Sequence, residues 1–266
     1  MSIITFLSDF GLQDEYVSSV KGVVLSINPQ ALMVDITHEI PAQNVAWAGQ
    51  ILNSSYAWFP SGTIHVAVVD PGVGSGRAII ASQHAKCIFL APDNGLLTTV
   101  WHQDPPQTII RVENETLFMK PTSHTFHGRD IFAPVAAHLS LGMDLKHLGN
   151  EMGLEDAVQL NLAQAVFTSS NEIVGQVLGK DRFGNLITNI SSCMIDQLSS
   201  KIKGSKLLVH IADTTIQGVA SSYASCTNDQ LIAIVGSRSS LEIAINGGRA
   251  ADRFDTLTEL QVRVCI

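Results

Sequence analysis

The chain has 266 residues, 45% of them hydrophobic, and 16 basic against 24 acidic residues give a formal net charge of −8. That balance excludes a nucleic-acid or anionic-membrane surface, whose affinity comes from clustered Lys and Arg, and no run approaches the ~18 apolar residues of a membrane span. The start, "MSIITFLSDFG", lacks a basic leader and meets an acid at Asp9, so it reads as a strand rather than a signal peptide.

"IITFLSD" is the first expected strand and "DEYVSSVKGVVLSINP" a helix stopped by Asn28-Pro29. "LMVDIT" is a second strand, and "QNVAWAGQILNSSYAWFP" a second helix with Val45, Ala48, Ile51 and Leu52 on one face. "TIHVAVVD" is nearly all apolar, the mark of a central strand buried on both faces. "CIFLAP" comes next as a strand, "DNG" as a turn and "GRDIFAPVAAHLSLG" as a helix. This β-α-β-α-β order predicts a three-layer α/β domain over residues 1–165 with a mostly parallel sheet. After about residue 165 the texture changes to short strands separated by Gly, Asn, Asp and Ser, with one short helix at "MIDQLSS". Residues 166–266 therefore read as a smaller all-β barrel or sandwich domain. Cys87, Cys193, Cys226 and Cys265 are scattered without a C-x-x-C pair, which reads as buried free thiols of a cytosolic protein.

In an α/β sheet, sites form at the carboxyl ends of the strands, and Asp9, Asp70 and the Asp35-to-His38 segment all sit there. The stretch "VVDPGVGSGR" (Val68 to Arg77) has the look of a phosphate loop. A dinucleotide fingerprint would need its third glycine where Arg77 stands, and a helix directly after it. The chain instead continues as "RAIIASQHAKCIFLAP", two short β-like runs, and there is no G-K-[ST] ending. The phosphate reading fails on context. An acid at a strand's end and an arginine, joined by a glycine-rich loop, are left.

Other segments leave alternatives open. In "SDFGLQDEY", Asp9 can accept hydrogen bonds from a ribose diol, or Asp9 and Asp14 can be a loop acid and a helix cap. "HTFHGRDIF" puts His124 and His127 at i and i+3 beside Arg129 and Asp130. As a metal site it is incomplete and needs a third ligand from Asp9, Asp70 or His38; a polar helix cap is the plain reading. "KDRFGNLITN" has turn chemistry at Gly184-Asn185, and Arg238 between Ser237 and Ser239 can hold a carboxylate or face solvent.

Six motifs, "LSDFGLQDEYV", "VVDPGVGSGR", "APDNGLLT", "FHGRDIFAPVAAHL", "DRFGNLITNI" and "NGGRAA", occur in one order from end to end. In that order they resemble the S-adenosyl-L-methionine hydrolases (adenosine-forming), relatives of the enzymes that make fluoro- and chloro-deoxyadenosine. The resemblance implies that Asp70, Arg77 and His127 surround an attacking water. It also implies that Asp9 holds the ribose hydroxyls, while Asp181, Phe183 and Asn185 line the adenine and amino-acid end. Ser237 and Arg238 would take the methionine carboxylate, and Asn246 would lie near the adenine. It further implies a homotrimer with sites shared between subunits. With the thiols reading as cytoplasmic and the metal-ligand pattern incomplete, a cytoplasmic enzyme with no cofactor or metal is expected. One departure is Gln43, where the fluorinating enzymes place a tryptophan against the ligand.

The substrate dictates the chemistry. A sulfonium leaves as a neutral thioether, so the difficulty is the nucleophile, because water's pKa of about 15.7 leaves almost no hydroxide at neutral pH. Arg77 stays protonated, so its role is electrostatic. His127 can accept the proton or donate to the oxygen. A halide has no proton to offer Asp70 and would meet only its repulsion, roughly 4 kcal/mol at about 4 Å. Two rivals remain: a metal-dependent hydrolase using Asp9, Asp70, His124 and His127, and a non-catalytic adenosine or S-adenosylmethionine binder.

Overall fold

Ile3–Ser8 (β1), Leu32–Thr37 (β2) and Thr63–Val68 (β3) alternate with two helices, Tyr16–Ile27 (α1) and Val45–Ser55 (α2). The computed structural model describes residues 2–201, 206–255 and 260–266. Its chain divides into two compact units, Met1–Asn161 and Leu162–Ile266. In α1 the buried Val17, Val20 and Val24 fall on one helical face. Helix α2 starts where the Asn44 side chain accepts the Trp47 N–H at 3.0 Å, a capping bond that satisfies one free donor of the first turn.

Then come Ile79–Gln83 (β4), Cys87–Pro92 (β5), Thr98–Gln103 (α3), Thr108–Arg111 (β6), Ala133–Ser140 (α4) and Glu151–Met152 (β7). Seven described strands form one sheet in the order β2-β1-β3-β5-β4-β6-β7. Strand β3 is buried along its whole length, as its apolar run predicts. Side chains alternate across the sheet. Ile4, Phe6, Ile64, Val66 and Val68 pack with α1 and α4 on one face. The intervening Thr5, Leu7, His65 and Ala67 are buried on the other, where α2 packs with α3.

The expectation of a mostly parallel sheet is corrected. Strands β2, β1, β3 and β5 run parallel, but β4, β6 and β7 pair antiparallel. The reason is length. Parallel neighbours need a crossover of a dozen or more residues, and only residues 84–86 join β4 to β5, so these two close as a hairpin.

The second unit contains Val166–Ser169 (β8), Glu172–Lys180 (β9), Leu186–Ser191 (β10), Ser192–Ser199 (α5), Leu208–Ile211 (β11), Thr214–Gln217 (β12), Leu231–Val235 (β13), Ser240–Ile245 (β14) and Gln261–Cys265 (β15). Its sheet runs β12-β11-β15-β9-β10-β14-β13 with β8 on β9, and every strand pair is antiparallel. A bridge from Ala220, just past β12, to Ile234 of β13 links the two edges, so the sheet is a nearly closed barrel around one apolar core. All four cysteines are free, but only Cys87 is buried and Cys193 is exposed.

Candidate active site

The parallel order β2-β1-β3 reverses direction at β1, and crevices outside the strand ends at such a point bind ligands. Ser8 is in register with Val68, so Asp9 and Asp70 leave neighbouring strand ends. The Asp9 carboxylate accepts the Gln43 N–H at 2.8 Å. Gln43 holds a left-handed φ of 64°, a conformation that a side chain other than Gly adopts only when its surroundings impose it.

The loop after β3 folds back on itself. Arg77 Nε donates to Asp70 Oδ1 at 2.6 Å and Nη2 donates to Oδ2, a two-pronged pair with both side chains nearly buried. Arg77 Nη1 donates to the Ala78 carbonyl at 3.1 Å. Burial pulls the guanidinium down to about 10, while the Asp93 carboxylate works the other way, so it is a cation at neutral pH. Asn94 Nδ2 donates to the Val69 carbonyl at 2.9 Å and ties the loop to the "APDNG" turn. Gly74, at φ +78°, has no room for a side chain: a Cβ would lie 2.3 Å from the His124 carbonyl oxygen.

The third element is "FHGRD". Residues Gly128–Phe132 form one π-helical turn ahead of α4, a distortion often found at functional sites. A Cβ on Gly128 would sit 2.9 Å from the Phe10 ring, so "SDFG" packs directly on "HGRD". Asp130 is buried and braces the preceding loop by accepting the Ser123 N–H at 2.8 Å, while Arg129 Nε donates to it at 2.6 Å. His127 is half-buried, and among the described residues its Nδ1 has no hydrogen-bond partner. Burial and then the neighbouring Arg77 cation hold its pKa below the ordinary imidazole value, against an opposing pull from Asp130. Among the described residues no three His, Cys, Asp or Glu side chains form a metal-binding group.

The remaining candidates belong to the second unit. Asp181 accepts the Asn185 N–H and Nδ2 at 2.9 Å each, so this turn is held by its own side chains. Gly184, at φ +85°, packs against Arg249, where a Cβ would meet that residue's Cβ at 2.8 Å. Phe183 is 73% exposed. Ser237 and Arg238 are exposed in the turn between β13 and β14. Asn246 Nδ2 donates to the Cys226 carbonyl at 3.0 Å.

The sequence model of the SAM hydroxide adenosyltransferase N-terminal domain matches residues 4–149, and that of its C-terminal domain matches residues 175–263. The chain belongs to the SAM hydroxide adenosyltransferase family. An (R)-S-adenosyl-L-methionine hydrolase of Thermus thermophilus is 35% identical over 99% of this chain and 100% of its own. A fluorinase of Nocardia brasiliensis is 27% identical over 74% of this chain and 73% of its own. The crystal structure of an uncharacterized conserved protein from Thermotoga maritima superposes with a TM-score of 0.91 at 35% identity, covering 99% of this chain and 100% of that one.

Sequence reasoning about this member of the SAM hydroxide adenosyltransferase family overlooked several residues around its motifs. Asp93 and Asn94 in "APDNGLLT" read in the sequence only as a turn, yet Asp93 supports the Arg77 cation and Asn94 ties the Asp70 loop. Glu242 is buried in β14, where burial raises its pKa against the nearby Arg238 cation, and Asp181 raises it further. Glu242 packs under Gly236, where a Cβ would lie 1.9 Å from its carboxylate oxygen. A lone acid inside the apolar run "LEIAI" was the available signal.

Proposed function

We propose that the protein hydrolyses S-adenosyl-L-methionine to adenosine and L-methionine, with Asp70, Arg77 and His127 around the attacking water. The supporting observation is the Arg77 cation clamped on Asp70 beside an imidazole whose pKa it depresses. A neutral His127 can accept a proton at neutral pH. Water's oxygen bonds to the ribose methylene carbon as the carbon–sulfur bond breaks, and that bond's electron pair returns to sulfur. His127 takes the proton and passes it to solvent. Arg77 favours the developing hydroxide, and Asp70 accepts a hydrogen bond from the water while holding Arg77 in place. No cofactor enters the reaction, since a neutral thioether departs without help.

In this reading Asp9 holds the ribose hydroxyls, and Asp181, Phe183 and Asn185 line the adenine and amino-acid end. Ser237 and Arg238 bind the methionine carboxylate, and Asn246 lies near the adenine. Following the family resemblance, the residues before 162 and those after it would come together from neighbouring copies in a homotrimer. Free cysteines fit a cytoplasmic setting.

Incubation with S-adenosylmethionine, followed by chromatography, should yield adenosine and methionine in equal amounts with or without a chelator. Activity abolished by the chelator and restored by zinc would overturn the metal-free mechanism; no products at all would overturn the activity. For the assembly, mixing inactive His127→Ala and inactive Arg238→Ala proteins under subunit exchange should restore some turnover. Proven exchange without activity would remove the shared site.

A further inference from the structure

Two segments leave the sheet side by side, residues 8–11 after β1 and residues 38–43 after β2. Their backbones are stitched by Gly11 N–H to the His38 carbonyl at 2.8 Å and Ile40 N–H to the Ser8 carbonyl at 3.4 Å. Beneath that seam lies a chain of side chains that no step of the hydrolysis uses. Ser8 Oγ and His38 Nδ1 are 2.7 Å apart, and both residues are buried, at 2% and 5% exposure. His38 Nε2 lies 3.2 Å from Asp35 Oδ1, within ion-pair range but off hydrogen-bond alignment. Lys21 Nζ of α1 closes the row on Asp35 Oδ2 at 2.5 Å.

A carboxylate only accepts, so the ring proton belongs on Nε2, facing Asp35. Nδ1 then accepts from the Ser8 hydroxyl, whose oxygen in turn accepts the Phe10 N–H at 3.3 Å. Each partner fixes the next, and the row ends on the two residues that bracket Asp9 in sequence.

Asp9 itself is gripped from the other segment, by Gln43 N–H at 2.8 Å. Gln43 is left-handed at φ 64°. Without glycine's freedom, that conformation persists only where neighbours hold it. His38 anchors the start of the strap whose far end presents this N–H. A buried imidazole is costly unless its polar atoms are partnered.

We propose that His38, fixed by Ser8 on one side and Asp35–Lys21 on the other, is the positioning residue that aims the Asp9 carboxylate at a ligand's ribose diol. The proposal rests on the reading that Asp9 binds ribose. His38 touches no ligand; it acts through Gly11, Ser8 and the strap to Gln43. Its loss should therefore blunt discrimination between sugars more than it slows chemistry.

The test is calorimetric titration with adenosine and 2′-deoxyadenosine, which needs no turnover. The wild-type protein should prefer adenosine by roughly tenfold, the order of one charge-assisted hydrogen bond. Asp9→Asn should abolish the preference. His38→Ala should lose most of it, His38→Gln should recover part, and the His38→Ala/Asp9→Asn double variant should be no worse than Asp9→Asn alone. In steady-state hydrolysis, His38→Ala should raise KM with kcat nearly unchanged. If His38→Ala folds poorly, Ser8→Ala removes the same link and gives the same readout. A folded His38→Ala or Ser8→Ala protein with undiminished preference overturns the positioning role. If Asp9→Asn keeps the preference, the reading of Asp9 fails and takes the proposal with it.

Discussion

Arg77 and His127 depend on each other electrostatically, and that gives the site a pH signature. Burial and the Arg77 cation hold the His127 pKa below its ordinary value, so the neutral, proton-accepting ring persists to lower pH than a free imidazole would. Acid should silence the enzyme only below the usual imidazole range. Arg77→Gln removes the cation and leaves the Asp70 carboxylate nearby, and both changes raise the His127 pKa. The acid limb of kcat/KM should therefore move to higher pH as the rate drops by about 10²–10³-fold, the usual loss for a preorganised group. An acid limb that stays in place while the rate falls would exclude His127 as the acceptor. Asp70→Ala probes the other partner. Hydrolysis should again drop about 10²–10³-fold while substrate binding changes far less. Unchanged turnover would remove Asp70 from the mechanism.

The glycine-rich loop shows how much an element owes to one backbone position. Of Gly72, Gly74 and Gly76, only Gly74 combines a left-handed φ of +78° with a neighbour, the His124 carbonyl, 2.3 Å from where a Cβ would stand. A Cβ on Gly72 would meet only ordinary contacts at 3.4 Å and beyond, and Gly76 faces open space. Gly74→Ala should push the loop off the segment that carries His127, and hydrolysis should fall by at least tenfold. Gly76→Ala should be nearly silent, and equal kinetics for the two variants would mean that loop placement does not matter. The motif's acid and arginine were legible in the sequence because strand ends and glycine-rich turns have local signatures. The pairing of Asp70 with Arg77 came only through the family resemblance. The Asn94 tie to Val69 spans 25 residues, and the His38 row joins Ser8 to a residue 30 positions away. No periodicity or spacing marks bonds between such distant positions. Glu242 was visible as an oddity in an apolar strand, but its neighbours Asp181 and Arg238 emerge only once the barrel is folded.

At the scale of the whole chain, the change from helix-linked strands to short antiparallel ones was plain from composition, whereas the mixed sheet was not. The pair "AIIASQHAKCIFLA" contained the hairpin in its short "HAK" link, yet the preceding β-α-β rhythm argued for parallel strands. That hairpin buries two histidines on the sheet face away from α1. His65 shares a 2.8 Å hydrogen bond with Thr5 and stacks on Phe89. His84 lies 2.9 Å from Ser82 Oγ, which accepts the Trp101 indole N–H at 3.1 Å. Burial, reinforced by the His84 charge, lowers the His65 pKa to about 4, and burial lowers that of His84 as well. The sign is fixed by which state takes the proton. Above the ordinary value of 6.5 both states are neutral and stability does not depend on these rings. As pH falls from 6.5 towards 4 the unfolded chain binds a proton that folded His65 refuses, and about 3 kcal/mol of stability is lost. His84 and His127 shift the same way and add to the loss. Asp35 and Asp130 are held below their ordinary 3.8, so their contribution is lost only at more acid pH; Glu242, raised above its ordinary 4.5, works the opposite way in this window but lies in the second unit. Trp47, Trp58 and Trp101 all lie in the first unit, and Trp101 sits in the network itself, so tryptophan fluorescence during urea unfolding reports on it. The midpoint should fall steeply between pH 6.5 and 4. His65→Asn keeps a polar partner for Thr5 but cannot take the proton; it should be less stable at pH 7.5 through lost ring packing, yet show a distinctly flatter decline. An equally steep decline in that variant would move the acid lability to other groups.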